Sequence, residues 1–82
     1  MLKRQAVAIQ DVYVPVKRRP TLDPKKVEAL AESILAKGLE VPILVRADHK
    51  RFVLVEGLHR LEACKALGET TVAAYLVQAR RH

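Results

Sequence analysis

Apolar positions fall in short runs punctuated by Pro, Gly and charged residues, and the spacing within each run separates helix from strand. Gln5-Ala6-Val7-Ala8-Ile9 has a strand-like core, and Val12-Tyr13-Val14 resumes the apolar pattern after Gln10-Asp11. This predicts a first strand near residues 5–9 with an extended continuation to Val14. Pro15, Lys17-Arg18-Arg19 and Pro20 then predict a basic loop, because proline opposes helix and favours extended backbone before it. Asp23-Pro24 is a helix start, with a capping carboxylate followed by a proline suited to the first helical position. Val27, Leu30, Ala31, Ile34 and Leu35 lie on one face of the helix expected over 24–37, and Gly38 fits its end.

Ile43-Leu44-Val45-Arg46 and Arg51 to Glu56 read as a β-hairpin around the polar turn Ala47-Asp48-His49-Lys50. A second helix is expected around 58–67, with Leu61, Cys64 and Leu67 at helical spacing, Ala63 beside them and Gly68 as its stop. Thr71 to Val77, mostly apolar and too short for a helix, reads as a closing strand, followed by a basic tail, Gln78 to His82, expected to fray. The order is strand, basic loop, helix, hairpin, helix, strand. The expected fold is α+β: a small mixed β-sheet with two main helices, in a single domain over residues 1–82.

The junction between the return strand and the second helix carries the chemistry. The β-branched run ends in Glu56-Gly57, and His59-Arg60 open the helix. Glycine lets the backbone turn sharply or approach a ligand, and a helix start offers unpaired N–H groups at the positive end of its dipole. Strand, glycine and basic helix start together form an anion cradle. Gly57, His59 and Arg60 are the candidate phosphate residues, since Arg presents a planar fork to phosphate oxygens and His can donate from either ring nitrogen. The alternative is that His59 and Arg60 are exposed helix-start residues and that Gly57 serves only the turn. Lys26 would join the site if the first helix start faces the same pocket. Glu56 can hold a divalent metal beside bound phosphates, or simply pair with a nearby Arg or Lys.

Charge extends this picture. The formal net charge of +6 favours anionic partners such as nucleic acid, nucleotides or phosphorylated groups, against the alternative of a solvated basic surface. Lys17, Arg18 and Arg19 are either solvated or sequence-independent phosphate contacts. Aromatics at 4%, with no Trp, disfavour a base-stacking nucleic-acid surface. The single Cys64 excludes an internal disulfide and lies on the apolar face of its helix, where an inert thiol is expected. Neither a signal peptide nor a membrane span is expected, which makes cytoplasm the default.

Leu22-Asp23-Pro24-Lys25-Lys26-Val27-Glu28-Ala29-Leu30-Ala31-Glu32-Ser33-Ile34 and Val55 to Gly68 carry a resemblance to the ParB/sulfiredoxin-like family, covering about Val7 to Val77. Gly57-Leu58-His59-Arg60 looks like the family's phosphate-binding box, in which glycine is followed by a variable residue and two basic ones. The resemblance implies a pocket for a nucleotide triphosphate, CTP or ATP, with Mg2+. Carried over by position, Gly57, Leu58, His59 and Arg60 form the phosphate box, Lys26 matches a basic residue of the sulfiredoxin nucleotide site, and Lys17, Arg18 and Arg19 fall where ParB proteins have a basic loop. In ParB partition proteins the related domain binds CTP and clamps DNA. Sulfiredoxins use ATP to repair over-oxidised peroxiredoxin, and some relatives are free-serine kinases that often carry an acidic residue where Glu56 stands.

Two departures shape the expectation. Sulfiredoxin has its catalytic cysteine where this chain has Leu58, and Cys64, six positions later on a core-facing helix, cannot replace it, so sulfiredoxin activity is not expected. Partition proteins continue into DNA-reading and dimerisation domains. If the 82 residues are the whole protein, that reading is missing; if they are a fragment, it lies beyond His82. The expected function is a ParB-like nucleotide-binding module in plasmid or chromosome partition or regulation, with non-specific DNA contact and a partner protein or homodimer as further partners. The alternatives are a small phosphotransferase or nucleotide hydrolase using Glu56, His59 and a metal, or a basic interaction domain without a working pocket.

Overall fold

The computed structural model describes residues 3–38 and 41–78. Five strands form one mixed sheet: β1 (Arg4–Ala8), β2 (Val12–Tyr13), β3 (Ile43–Asp48), β4 (Arg51–Glu56) and β5 (Thr71–Val77), in the order β1-β5-β3-β4-β2. The β1/β5 and β3/β4 pairs are antiparallel, whereas β3/β5 and β2/β4 are parallel. Helices α1 (Pro24–Lys37) and α2 (Leu58–Ala66) complete the α+β architecture expected from the sequence. The tail from Ala79 onward lies outside the described residues.

Alternation along the strands builds the core. Val7, Ile43, Val45, Leu54, Val72 and Ala74 turn to one face of the sheet, where Leu58, Leu61 and Cys64 of α2 close over them. Ile43 and Leu61 are fully excluded from solvent. α2 therefore caps the sheet, and α1 packs chiefly on α2. No residue of α1 is buried, and Leu35 is 78% exposed. The apolar stripe read from the sequence is thus wider than the strip that α2 covers. Leu35 falls off its edge.

The extended continuation to Val14 is interrupted. A 3-10 turn at Ile9–Asp11 is held by the Ile9 N–H donating to the Thr70 carbonyl at 2.9 Å. It sends the chain from one edge of the sheet to the other, where Val12 and Tyr13 pair with Phe52 and Val53. The basic loop is not extended either: Val16–Thr21 is a 3-10 helix containing Pro20. Proline's fixed φ of about −65° lies within the 3-10 range, so the ring that opposes an α-helix interior is compatible with this tighter turn. The Arg18 N–H donates to the Pro15 carbonyl, and the Thr21 hydroxyl donates to the Arg18 carbonyl.

Candidate functional site

The site forms where β4 ends. The β3/β4 register slips between Leu44 and Val45: Val45 faces Leu54 while Leu44 faces Glu56, leaving Val55 as an extra residue. Such a bulge re-aims the strand end, and here it brings Gly57 against Ile43. Gly57 has φ 107° and ψ 31°, in left-handed space, and a Cβ placed on it would lie 2.7 Å from Ile43 Cγ2. Glycine is required here twice over, by the backbone angle and by the close approach.

From Gly57 the chain enters α2. The first helical hydrogen bond runs from the Leu61 N–H to the Gly57 carbonyl at 2.9 Å, and no side chain caps the start. The main-chain N–H groups of Leu58, His59 and Arg60 thus have no partner within the helix, and they sit at its positive dipole end. Around this start lies an open cleft of ≈650 Å³, within the range of small-molecule sites, lined by Arg18, Thr21, Lys26, Ala29, Leu30 and residues Glu56 to Arg60. Three cationic side chains, Arg18, Lys26 and Arg60, face one carboxylate, Glu56. An anion entering here meets both main-chain donors and side-chain charge.

The structure brings Gly57, His59, Arg60, Lys26, Arg18 and Glu56 into one cleft, but separates the other candidates. Leu58 is 7% exposed and its side chain belongs to the core, which leaves it main-chain atoms alone to offer an anion. Lys17 and Arg19 do not line the cleft. The Arg19 Nε donates to the Val14 carbonyl at 3.2 Å, and its guanidinium lies 5.7 Å from the Tyr13 ring centre, with Arg51 stacked 4.2 Å from the same ring. Adjacent arginines of the basic run therefore diverge. Arg18 goes to the cleft and Arg19 to an aromatic stack.

Thr21, Ala29 and Leu30 were absent from the sequence-derived set. The signal for the last two is helical spacing: Ala29 and Leu30 stand three and four positions after Lys26, so they share its side of α1. They give the cleft an apolar wall beside its charged floor. Among the described residues no three His, Cys, Asp or Glu side chains gather as a metal site, and Glu56 is a lone, exposed carboxylate. That donor set fits magnesium held partly by ligand phosphates and water, the usual arrangement for this ion. Cys64 is buried on the core side of α2; burial, with Glu69 adding to it, pushes its thiol pKa above the ordinary value and disfavours a reactive thiolate.

Comparison with known proteins identifies the family. The sequence profile of the ParB N-terminal domain matches residues 3–82. The chain belongs to the ParB N-terminal domain family. The domain is 37% identical over 62 residues to a probable chromosome-partitioning protein ParB from Campylobacter jejuni, an overlap covering 76% of this chain and 22% of that protein. In three dimensions it is similar to sulfiredoxin from Arabidopsis thaliana, with a TM-score of 0.84 and 28% identity over 94% of this chain and 86% of that one. It is also similar to the C-terminally truncated chromosome-partitioning protein ParB from Caulobacter crescentus complexed with CTP-gamma-S: TM-score 0.82 and 27% identity, covering 95% of this chain and 46% of that one. The chain thus spans about a fifth of the curated relative and under half of the Caulobacter chain.

Proposed function

We propose that residues 1–82 form a nucleotide-binding module of partition type, whose cleft takes the triphosphate of CTP on the start of α2. The observation that carries this reading is the convergence of that uncapped helix start with Arg60, Lys26 and Arg18 beside Gly57. The CTP-gamma-S bound to the similar Caulobacter chain supports a cytidine triphosphate as the ligand. Arg60 clamps phosphate oxygens with its planar fork, Lys26 adds a point charge from α1, and the N–H groups of Leu58, His59 and Arg60 bind from below. Ala29 and Leu30 give the less polar parts of the nucleotide a surface to lie on. Glu56 is the carboxylate that would hold a magnesium ion, which neutralises phosphate charge when bound.

Isothermal titration of the wild-type chain with CTP and ATP, each with and without magnesium, tests this. CTP is expected to bind with saturable heat and more tightly than ATP. An absence of heat from either triphosphate would overturn the nucleotide reading. A net charge of +6 with few aromatics also leads us to propose weak, sequence-independent DNA contact. Fluorescence anisotropy with two unrelated duplexes is expected to give equal affinities that fall steeply with salt, by roughly 0.9 log unit per log unit of salt for each phosphate contacted. A flat salt profile would count against it.

A further inference from the structure

We propose that His59 is a positioning residue as well as a phosphate ligand: it completes the cap of α1 from the opposite wall of the cleft, and it does so in a single tautomer. This deepens the nucleotide reading and rests on it for the ligand. The starting point is the Asp23 main-chain N–H, which donates to His59 Nε2 at 3.0 Å across 36 residues of sequence. In a capping box, the residue at the third helical position reaches back with a side-chain oxygen to accept from the capping residue's N–H. Here that third position is Lys26, which carries three donors and no acceptor. Lys26 cannot close the box, and His59 supplies the missing acceptor.

The other bonds of the cap are local. Asp23 Oδ1 accepts from the Lys25 N–H at 3.0 Å, Pro24 has no N–H, and the Asp23 carbonyl accepts from the Val27 N–H at 3.1 Å. Asp23 is thereby held at its N–H, side chain and carbonyl, the first by α2 and the other two by α1. Lys26, which takes no part in the box, lines the cleft instead.

The hydrogen bond also sets the imidazole. An N–H can donate only to a ring nitrogen with a free lone pair, so Nε2 is unprotonated and the neutral ring carries its proton on Nδ1. Nδ1–H is then the donor His59 offers to a phosphate oxygen. A bond made there polarises the ring and strengthens acceptance at Nε2. Ligand binding at α2 is thus felt at the first turn of α1, the wall bearing Lys26, Ala29 and Leu30.

Long-range 1H–15N spectra of the wild-type chain without nucleotide test the tautomer. A protonated Nδ1 and a free Nε2 are expected for His59; a protonated Nε2 would overturn the inference. Two variants then separate the two roles. His59→Gln keeps an acceptor near the Nε2 position but loses the Nδ1 donor, whereas His59→Asn keeps a donor near Nδ1 and cannot reach Asp23. Hydrogen exchange of the Asp23 amide is expected to stay near wild type in His59→Gln and to speed up roughly fivefold to tenfold in His59→Asn, as loss of one hydrogen bond implies. In both variants CTP is expected to bind more weakly. Unchanged Asp23 exchange in His59→Asn would overturn the positioning role. A wild-type chain that binds no nucleotide yet shows the tautomer and the exchange pattern would overturn the nucleotide reading while leaving the tether in place.

Discussion

Gly57→Ala is expected to lower stability by about 2–6 kcal/mol and to remove nucleotide binding at temperatures where the variant is still folded. Two contributions add. A non-glycine residue in left-handed space costs about 1–3 kcal/mol, and Gly57 sits at φ 107°. The new methyl would also lie 2.7 Å from Ile43 Cγ2 and 3.0 Å from its Cβ, an overpacking that costs about 1–3 kcal/mol. Ile43 is fully buried between β4 and β5, so it has no space to retreat into. For a chain of this length each kcal/mol shifts Tm by roughly 4–8 °C, so calorimetry should show a fall of about 10 °C or more. Melting together with wild type would mean that the backbone at Gly57 relaxes freely, against the view that it is held by Ile43.

Arg60→Ala is the complementary case, a large effect on binding with little on folding. Arg60 is half-buried at the cleft and forms no salt bridge with a described residue. Its removal should therefore leave Tm nearly unchanged. Hydrogen bonds to charged groups are worth about 1.5–3 kcal/mol, which converts to roughly 10-fold to 100-fold weaker CTP binding at 1.4 kcal/mol per decade. Arg60→Lys should fall between, because it keeps the charge and loses the fork. Lys50→Ala, in the hairpin turn away from the cleft, removes the same unit of charge and serves as the control. Equal losses in Arg60→Ala and Lys50→Ala would show that titration is sensing overall charge rather than a site.

Much of this was legible locally. Asp23-Pro24 and Gly38 bound α1 at the expected residues, the hairpin closes around its polar turn, and Thr71–Val77 is the closing strand. Each of these rests on signals within a few residues of the element: a cap, a glycine with positive φ, an alternation. What the sequence could not display depends on distant partners. Val12-Tyr13 leaves the first strand because its pairing partners, Phe52-Val53, lie forty residues on at the other sheet edge. Arg19 leaves the cleft because Tyr13 and the Val14 carbonyl hold it elsewhere.

The candidate site shows the same division. Gly57, His59 and Arg60 are contiguous, and the strand-to-helix switch announces them. Leu58, in the middle of that box, illustrates the limit: a helix start can donate from the main chain while the side chain turns into the core, and a string of letters does not separate the two. The Asp23–His59 bond was invisible for another reason. Nothing in Asp23-Pro24-Lys25-Lys26 states that its capping box is left open, other than the lysine at the third position.

The two walls of the cleft differ in how far they can change. The wall built by β4 and α2 is continuous with the core through Ile43, Leu58 and Leu61, so a substitution at Gly57 or at those core positions alters folding and ligand chemistry together. The α1 wall contains no buried residue, and surface substitutions of that kind usually shift stability by less than about 0.5 kcal/mol. Exposed positions of this wall, Ala29 among them, can therefore be exchanged while the anchor beneath them stays intact. A scaffold divided in this way can conserve its grip on an anion while its descendants explore what that anion is attached to.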